Sequence, residues 1–163
     1  MRILKYSLLC LALVSTAACG SSSSPKTAAP TTAPPTTVGA AVTKAAYIAR
    51  ANAICTTMNR KVNAVPDPGN DPEKIAAGLT KVRSLIGDTV VQLRALPQPH
   101  GDEAQLSAIY AKVDALRAGM QAYIVALRAR NAPAAAAASR HLNALGDAAN
   151  SASNRYGLTV CGS

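Results

Sequence analysis

Between Lys44 and Tyr156, apolar residues recur at intervals of three and four, the spacing that lines one face of an α-helix. Tyr47, Ala51, Ile54, Met58, Val62 and Val65 form a first stripe, which Pro66-Asp67-Pro68-Gly69 breaks with a helix terminator and a turn. Asp71 then offers an N-cap with Pro72 at the first helical position. Ile75, Leu79, Val82, Ile86, Thr89, Leu93 and Leu96 make a second stripe, with Thr89 its only polar member. After Pro97-Gln98-Pro99-His100-Gly101, Asp102 and Gln105 have the spacing of a capping box. Leu106, Ile109, Val113, Leu116, Met120, Tyr123 and Leu127 follow as a third stripe. Beyond Arg130-Asn131-Ala132-Pro133, the fourth stripe is Ala138, Leu142, Leu145, Ala149, Ala152 and Tyr156, with Gly157 as its C-terminal cap. These spacings predict helices over residues 44–65, 72–96, 102–130 and 133–156, each roughly 33 to 44 Å long. Short Pro/Gly connections force antiparallel neighbours, so the expected fold is all-α, an up-down-up-down four-helix bundle.

The pattern is different before Lys44. Met1-Arg2-Ile3-Leu4-Lys5, an apolar run from Leu8 to Val14 and Ser15-Thr16-Ala17-Ala18 read as a signal peptide over residues 1–18. Its apolar run is too short to span a bilayer. Ser15-Thr16-Ala17-Ala18-Cys19 resembles the lipobox of bacterial lipoproteins, which implies that Cys19 is acylated and becomes the first mature residue. Two or three acyl chains suffice for stable membrane anchoring. Ala18 with Thr16 also suits the general signal peptidase, which would leave Cys19 a plain thiol. Residues 19–43 are rich in Ser, Thr, Pro and Ala without periodicity, the composition of a disordered linker. Thr31, Thr32, Thr36 and Thr37, beside prolines, resemble the O-glycosylated stalks of actinobacterial lipoproteins; an unmodified spacer has the same composition. The working domain is thus residues 44–163, and its site is the extracytoplasmic face of the cell membrane.

Composition narrows the possibilities further. Of 163 residues 35 are Ala, with no Phe and no Trp, which disfavours β-sandwiches and barrels. No Gly-rich phosphate loop is present, which disfavours a nucleotide-binding α/β enzyme. A core without large aromatics has modest volume, so a covalent staple would help it. Cys10 leaves with the signal peptide and Cys19 is taken by lipid, leaving Cys55 and Cys161 in an oxidising compartment. With the fourth helix descending beside the first, Tyr156 lies near Tyr47 and Cys55 about 12 Å along helix one. Residues 157–161 can reach about 16 Å, enough to fold back and bridge the two cysteines. A metal held by the free thiols would need further ligands, and His100 and His141 are the only histidines.

Ala51-Asn52-Ala53-Ile54-Cys55 and Tyr156-Gly157-Leu158-Thr159-Val160-Cys161-Gly162 resemble the ends of a loose group of uncharacterised actinobacterial secreted and lipid-anchored proteins. Their shared features are an Ala-x-Ala-Ile-Cys first helix and a Tyr-Gly-Leu-x-x-Cys-Gly ending. The resemblance implies a disulfide-closed helical fold at the cell surface and brings no activity with it.

Candidate chemistry is sparse. Removing Arg2 and Lys5 from the 17 Lys and Arg leaves 15 against 8 acids, a net +7 that attracts anionic envelope polymers or lipid headgroups. The same charges also read as a solvated surface spread over four helices. Nucleic acid is disfavoured, because no aromatics interleave with the basic residues. Met58 and His141 fall at similar heights, a layout resembling the axial ligands of b-type cytochrome bundles, although no Cys-x-x-Cys-His attachment motif exists. Asp67, Asp71, Glu73, Asp102 and Glu103 sit at helix starts and loops, where capping accounts for them. Ser139, Arg140 and His141 are adjacent on a helix and diverge, so no triad forms. The expectation is therefore a monomeric lipoprotein with no catalytic residues, no metal and no cofactor, acting as a binding or protein-interaction module. Its alternative is a carrier of a lipid or small apolar ligand, which requires space left by the alanines beside Leu142 and Leu145.

Overall fold

A computed structural model describes residues 41–163; the expected signal peptide, the expected acylation site Cys19 and nearly all of the expected linker lie outside the described residues. Four helices run in order, α1 Lys44–Asn63, α2 Pro72–Arg94, α3 Glu103–Arg128 and α4 Ala132–Tyr156, with no strand among the described residues. Three of the four starts are capped by a local side chain. Thr43 Oγ1 accepts from the Ala46 amide at α1, Asp71 accepts from Glu73 and Lys74 at α2, and Asn131 accepts from Ala134 at α4. The first two helices end two residues short of the apolar pattern, so Val65 and Leu96 are half-buried residues of the connections. Gly157 ends α4 at φ +107, and the Leu158 amide donates to the Ser153 carbonyl in the six-to-one bond of a Schellman turn.

One expected cap is absent. Asp102 makes no side-chain bond to the start of α3; its carboxylate accepts instead from the Tyr156 hydroxyl at 2.7 Å and pairs with Lys44 at 3.7 Å. A tertiary hydrogen bond has displaced the local capping box, because a buried phenol needs an acceptor more than an exposed helix end does.

Close backbone approach between helices is confined to consecutive pairs, α1 with α2, α2 with α3, and α3 with α4. The two central helices therefore bury a wider face than a single stripe, and Ala76 and Val90 of α2 and Tyr110 and Ile124 of α3 join the core from outside the stripes. The last seam is built differently. Residues 158–162 lie between α1 and α4, with Cys161 bonded to Cys55 at a Cα separation of 5.1 Å. Asn59 donates to the Val160 carbonyl at 3.0 Å, the Val160 amide donates to Asn52, and Asn154 donates to the Gly162 carbonyl at 3.1 Å. Gly162 rests directly on α4, since a Cβ there would fall 2.8 Å from the Asn150 carbonyl oxygen and 2.5 Å from Asn154 Oδ1.

The end of the bundle below this tail holds three buried tyrosines. Tyr47 and Tyr110 share a hydrogen bond between their hydroxyls, and the Tyr47 and Tyr156 rings meet edge to face at 6.1 Å. Lys44 lies 4.1 Å from the Tyr156 ring centroid and Arg94 5.2 Å from that of Tyr110. Leu93, Leu106 and Leu158 pack around the cluster. Burial raises the Tyr47 phenol far above its ordinary range, and the bond to Tyr110 adds to it. Burial raises Tyr110 as well, against the opposing Tyr47 bond and Arg94 charge. Tyr156 is raised by burial and then by its bond to Asp102.

Two outcomes are expected. The disulfide closes a loop across a sequence separation of 106. In the loop-entropy description such closure is worth about 5 kcal/mol, so Cys55→Ala/Cys161→Ala loses about that much in urea unfolding. The tyrosines set an alkaline limit: their raised folded pKa values mean that the unfolded chain releases protons first, above an ordinary value of about 10. Stability is thus complete below pH 10 and falls as pH rises past it. Melting curves between pH 8 and 12 show this fall, and Tyr47→Phe/Tyr110→Phe flattens it while changing stability at pH 7 by less than about 1 kcal/mol.

Candidate functional site

Because the tail is laid between α1 and α4, it acts as a spacer. Its Cys161 is bonded to α1 and its Gly162 is seated on the α4 backbone, so the two helices are held apart by the thickness of a peptide strand. On the side away from the tyrosines no chain fills the space that the tail has opened. A cleft of about 210 Å³ results.

Every helix contributes to it. Val82 and Ile86 of α2 with Val113 and Leu116 of α3 form its floor. Met58, Asn59 and Val62 of α1 form one wall, and Ala149, Asn150 and Ser153 of α4 the other. Cys161 and Ser163 close its lower end. The aliphatic residues of floor and α1 wall are all half-buried, whereas Ala149 and Ser153 are nearly inaccessible. Small side chains on α4 are the local reason for the opening, since Ala149 and Ser153 are too short to reach Met58 and Val62. Asn59 has one amide hydrogen bonded to the Val160 carbonyl, which fixes its side chain at the edge of the cleft.

The structure separates the residues that sequence spacing had placed together. Met58 lines the cleft, but His141 is exposed on α4 and takes no part in it, so the two are not brought into one site. Leu142 and Leu145 do not flank a gap either: a Cβ on Gly119 of α3 would fall 2.7 Å from Leu145 Cδ1 and 3.5 Å from Leu142 Cδ1, so these leucines interlock with that glycine. The space that a carrier would need lies instead beside Ala149, one turn beyond Leu145 and two beyond Leu142. No group of three or more His, Cys, Asp or Glu that would hold a metal occurs among the described residues, nor a helix long and apolar enough to cross a membrane. Cys55 and Cys161 are joined as the sequence suggested.

Wider depressions exist elsewhere. One lies between the starts of α2 and α4, lined by Glu73, Leu127 and Arg130, and another runs over the outer alanines of α3 and α4. Both are larger than the α1/α4 cleft and more open to solvent. The α1/α4 cleft is distinguished by reaching the floor of the bundle and by drawing on all four helices. Asn52, Asn59 and Asn154, the side chains that clamp the spacer, carry no sequence signal beyond being polar in helices. Comparison with known protein families, with curated proteins and with solved structures finds no match for this chain.

Cavity filling tests the geometry. Val113→Leu extends a half-buried side chain toward free space and raises stability by up to about 1 kcal/mol. Ala51→Leu, at a fully buried position against the tail, costs about 1 to 3 kcal/mol. Chemical unfolding of the two variants reads the difference in sign.

Proposed function

We propose that this chain is a lipid-anchored module of the bacterial cell envelope that acts by binding rather than by catalysis, and that it carries a small apolar ligand in the α1/α4 cleft. The cleft is the observation that supports this reading: an opening into the core, framed by mostly aliphatic side chains from four helices and walled by a covalently pinned tail. A concave, mainly apolar site with a few polar groups at its edge is the usual form of a small-ligand site. The lipobox-like Ser15-Thr16-Ala17-Ala18-Cys19 and the linker that follows favour display on a tether at the outer face of the membrane. A protein-interaction role draws support from the uncharged outer face of α3 and α4, where Val125 is 56% exposed among alanines.

Native mass spectrometry of the mature protein purified from its own membranes is expected to show a non-covalent adduct above the acylated polypeptide mass. A Val82→Phe variant, which fills the floor of the cleft, is expected to lose it. A bare polypeptide mass would overturn the carrier reading and leave the interaction role. Cys19→Ser moves the protein from the membrane fraction to the soluble fraction if Cys19 bears the anchor; retention in the membrane would sink the lipoprotein assignment.

A further inference from the structure

We infer that the cleft takes the hydrocarbon chain of an uncharged single-chain amphiphile, an alcohol, amide or ester rather than a carboxylate or an ammonium. The inference rests on the carrier reading and goes on to fix the chemistry of the ligand.

Size sets the first limit. At about 210 Å³ the cleft exceeds the roughly 150 Å³ of apolar space that suffices for one benzene ring. It falls below the roughly 300 Å³ at which sites for drug-sized molecules begin. One flexible chain, or the end of a longer one, fits this volume; a fused ring system does not. The unbranched, polarisable Met58 suits such a guest, since it can follow a chain whose conformation is not fixed.

Charge sets the second limit. Every polar side chain on the lining, Asn59, Asn150, Ser153 and Ser163, is neutral, and no Lys, Arg, His, Asp or Glu lines the cleft. Ser153 is the buried one of the four, at 4% exposure. Amides and hydroxyls satisfy a neutral donor–acceptor head directly. A carboxylate or ammonium drawn in behind its chain would surrender hydration with no charged side chain on the lining to offset the loss. The protein's net positive charge attracts anions from a distance, but this long-range field is screened beyond about 8 Å at physiological ionic strength.

The mature chain with Cys19→Ser carries two methionines, Met58 in the cleft and Met120 buried outside it. With ¹³C-methyl methionine, titration at elevated salt with 1-octanol, octanoate and octylammonium separates the cases. Expected are a saturable shift of Met58 alone with octanol, and at least tenfold weaker binding of both charged octyl compounds. Val82→Phe, or Ala149→Leu should that variant fail to fold, abolishes the Met58 response and leaves the Met120 signal in place. Octanoate or octylammonium binding as tightly as octanol would overturn the neutral-head inference while the carrier reading stands. Absence of a saturable Met58 shift, or parallel drift of both methionines, would overturn both.

Discussion

Where a four-helix bundle ordinarily brings its first and last helices together, this protein inserts the short turn of residues 158–162 and locks it in place. The lock is the Cys55–Cys161 bond, reinforced by side-chain amides from Asn52, Asn59 and Asn154. Those amides satisfy peptide groups of the tail that burial would otherwise leave unpaired. Most of what distinguishes the molecule follows from this insertion. It spaces α1 from α4, it seals one end of the resulting seam and it leaves the other end open as a cleft. Without the tail, α1 would have close backbone approach to α2 alone, and only the side chains of its first turn, Tyr47 and Lys44, would reach toward α3 and α4.

The aromatic cluster beneath the tail performs the complementary task of fixing the ends of the helices. A chain with neither Phe nor Trp must obtain bulk from tyrosine, and each tyrosine brings a hydroxyl that needs a partner when buried. Tyr47 and Tyr110 satisfy one another, and Tyr156 uses Asp102, so the first turn of α3 is tied to the last turn of α4. Lys44 completes the arrangement by covering both the Tyr156 ring and the Asp102 carboxylate. Such a core is bulky where its hydroxyls are paired and sparse further along, where alanine and serine replace tyrosine on α4. The cleft lies at that transition.

The periodicity of the sequence carried the helices and their order, and residue type gave two caps, Asp71 and Gly157, because each rests on local rules that spacing and a few residue types express. The disulfide was legible for a different reason, since only two cysteines remained and the tail was long enough to join them. Asp102 was misjudged as a cap because its true partner, Tyr156, is 54 residues away and has no local signature. Tyr110 lay outside the third stripe, and only the placement of α3 between two neighbours shows why its face is buried. Space beside Leu142 and Leu145, the condition for a carrier, is absent: spacing could not show that Gly119 accommodates these leucines, or that the C-terminal turn would separate α1 from α4. Met58 lines the cleft with Ala149 and Ser153 of α4 while His141 lies exposed further along that helix, so equal heights counted from helix pitch do not bring the two together.

The position of the disulfide also determines how the domain would respond to tension. Cys55 lies in the first helix and Cys161 beyond the last, so a pull applied between the two ends of the described chain crosses the sulfur bridge rather than the residues between. Only the beginning of α1 and the final residues can be drawn out; α2, α3 and α4 lie within a covalently closed loop. A domain hung by one end from a membrane, and gripped at the other, would keep three of its four helices off the load path.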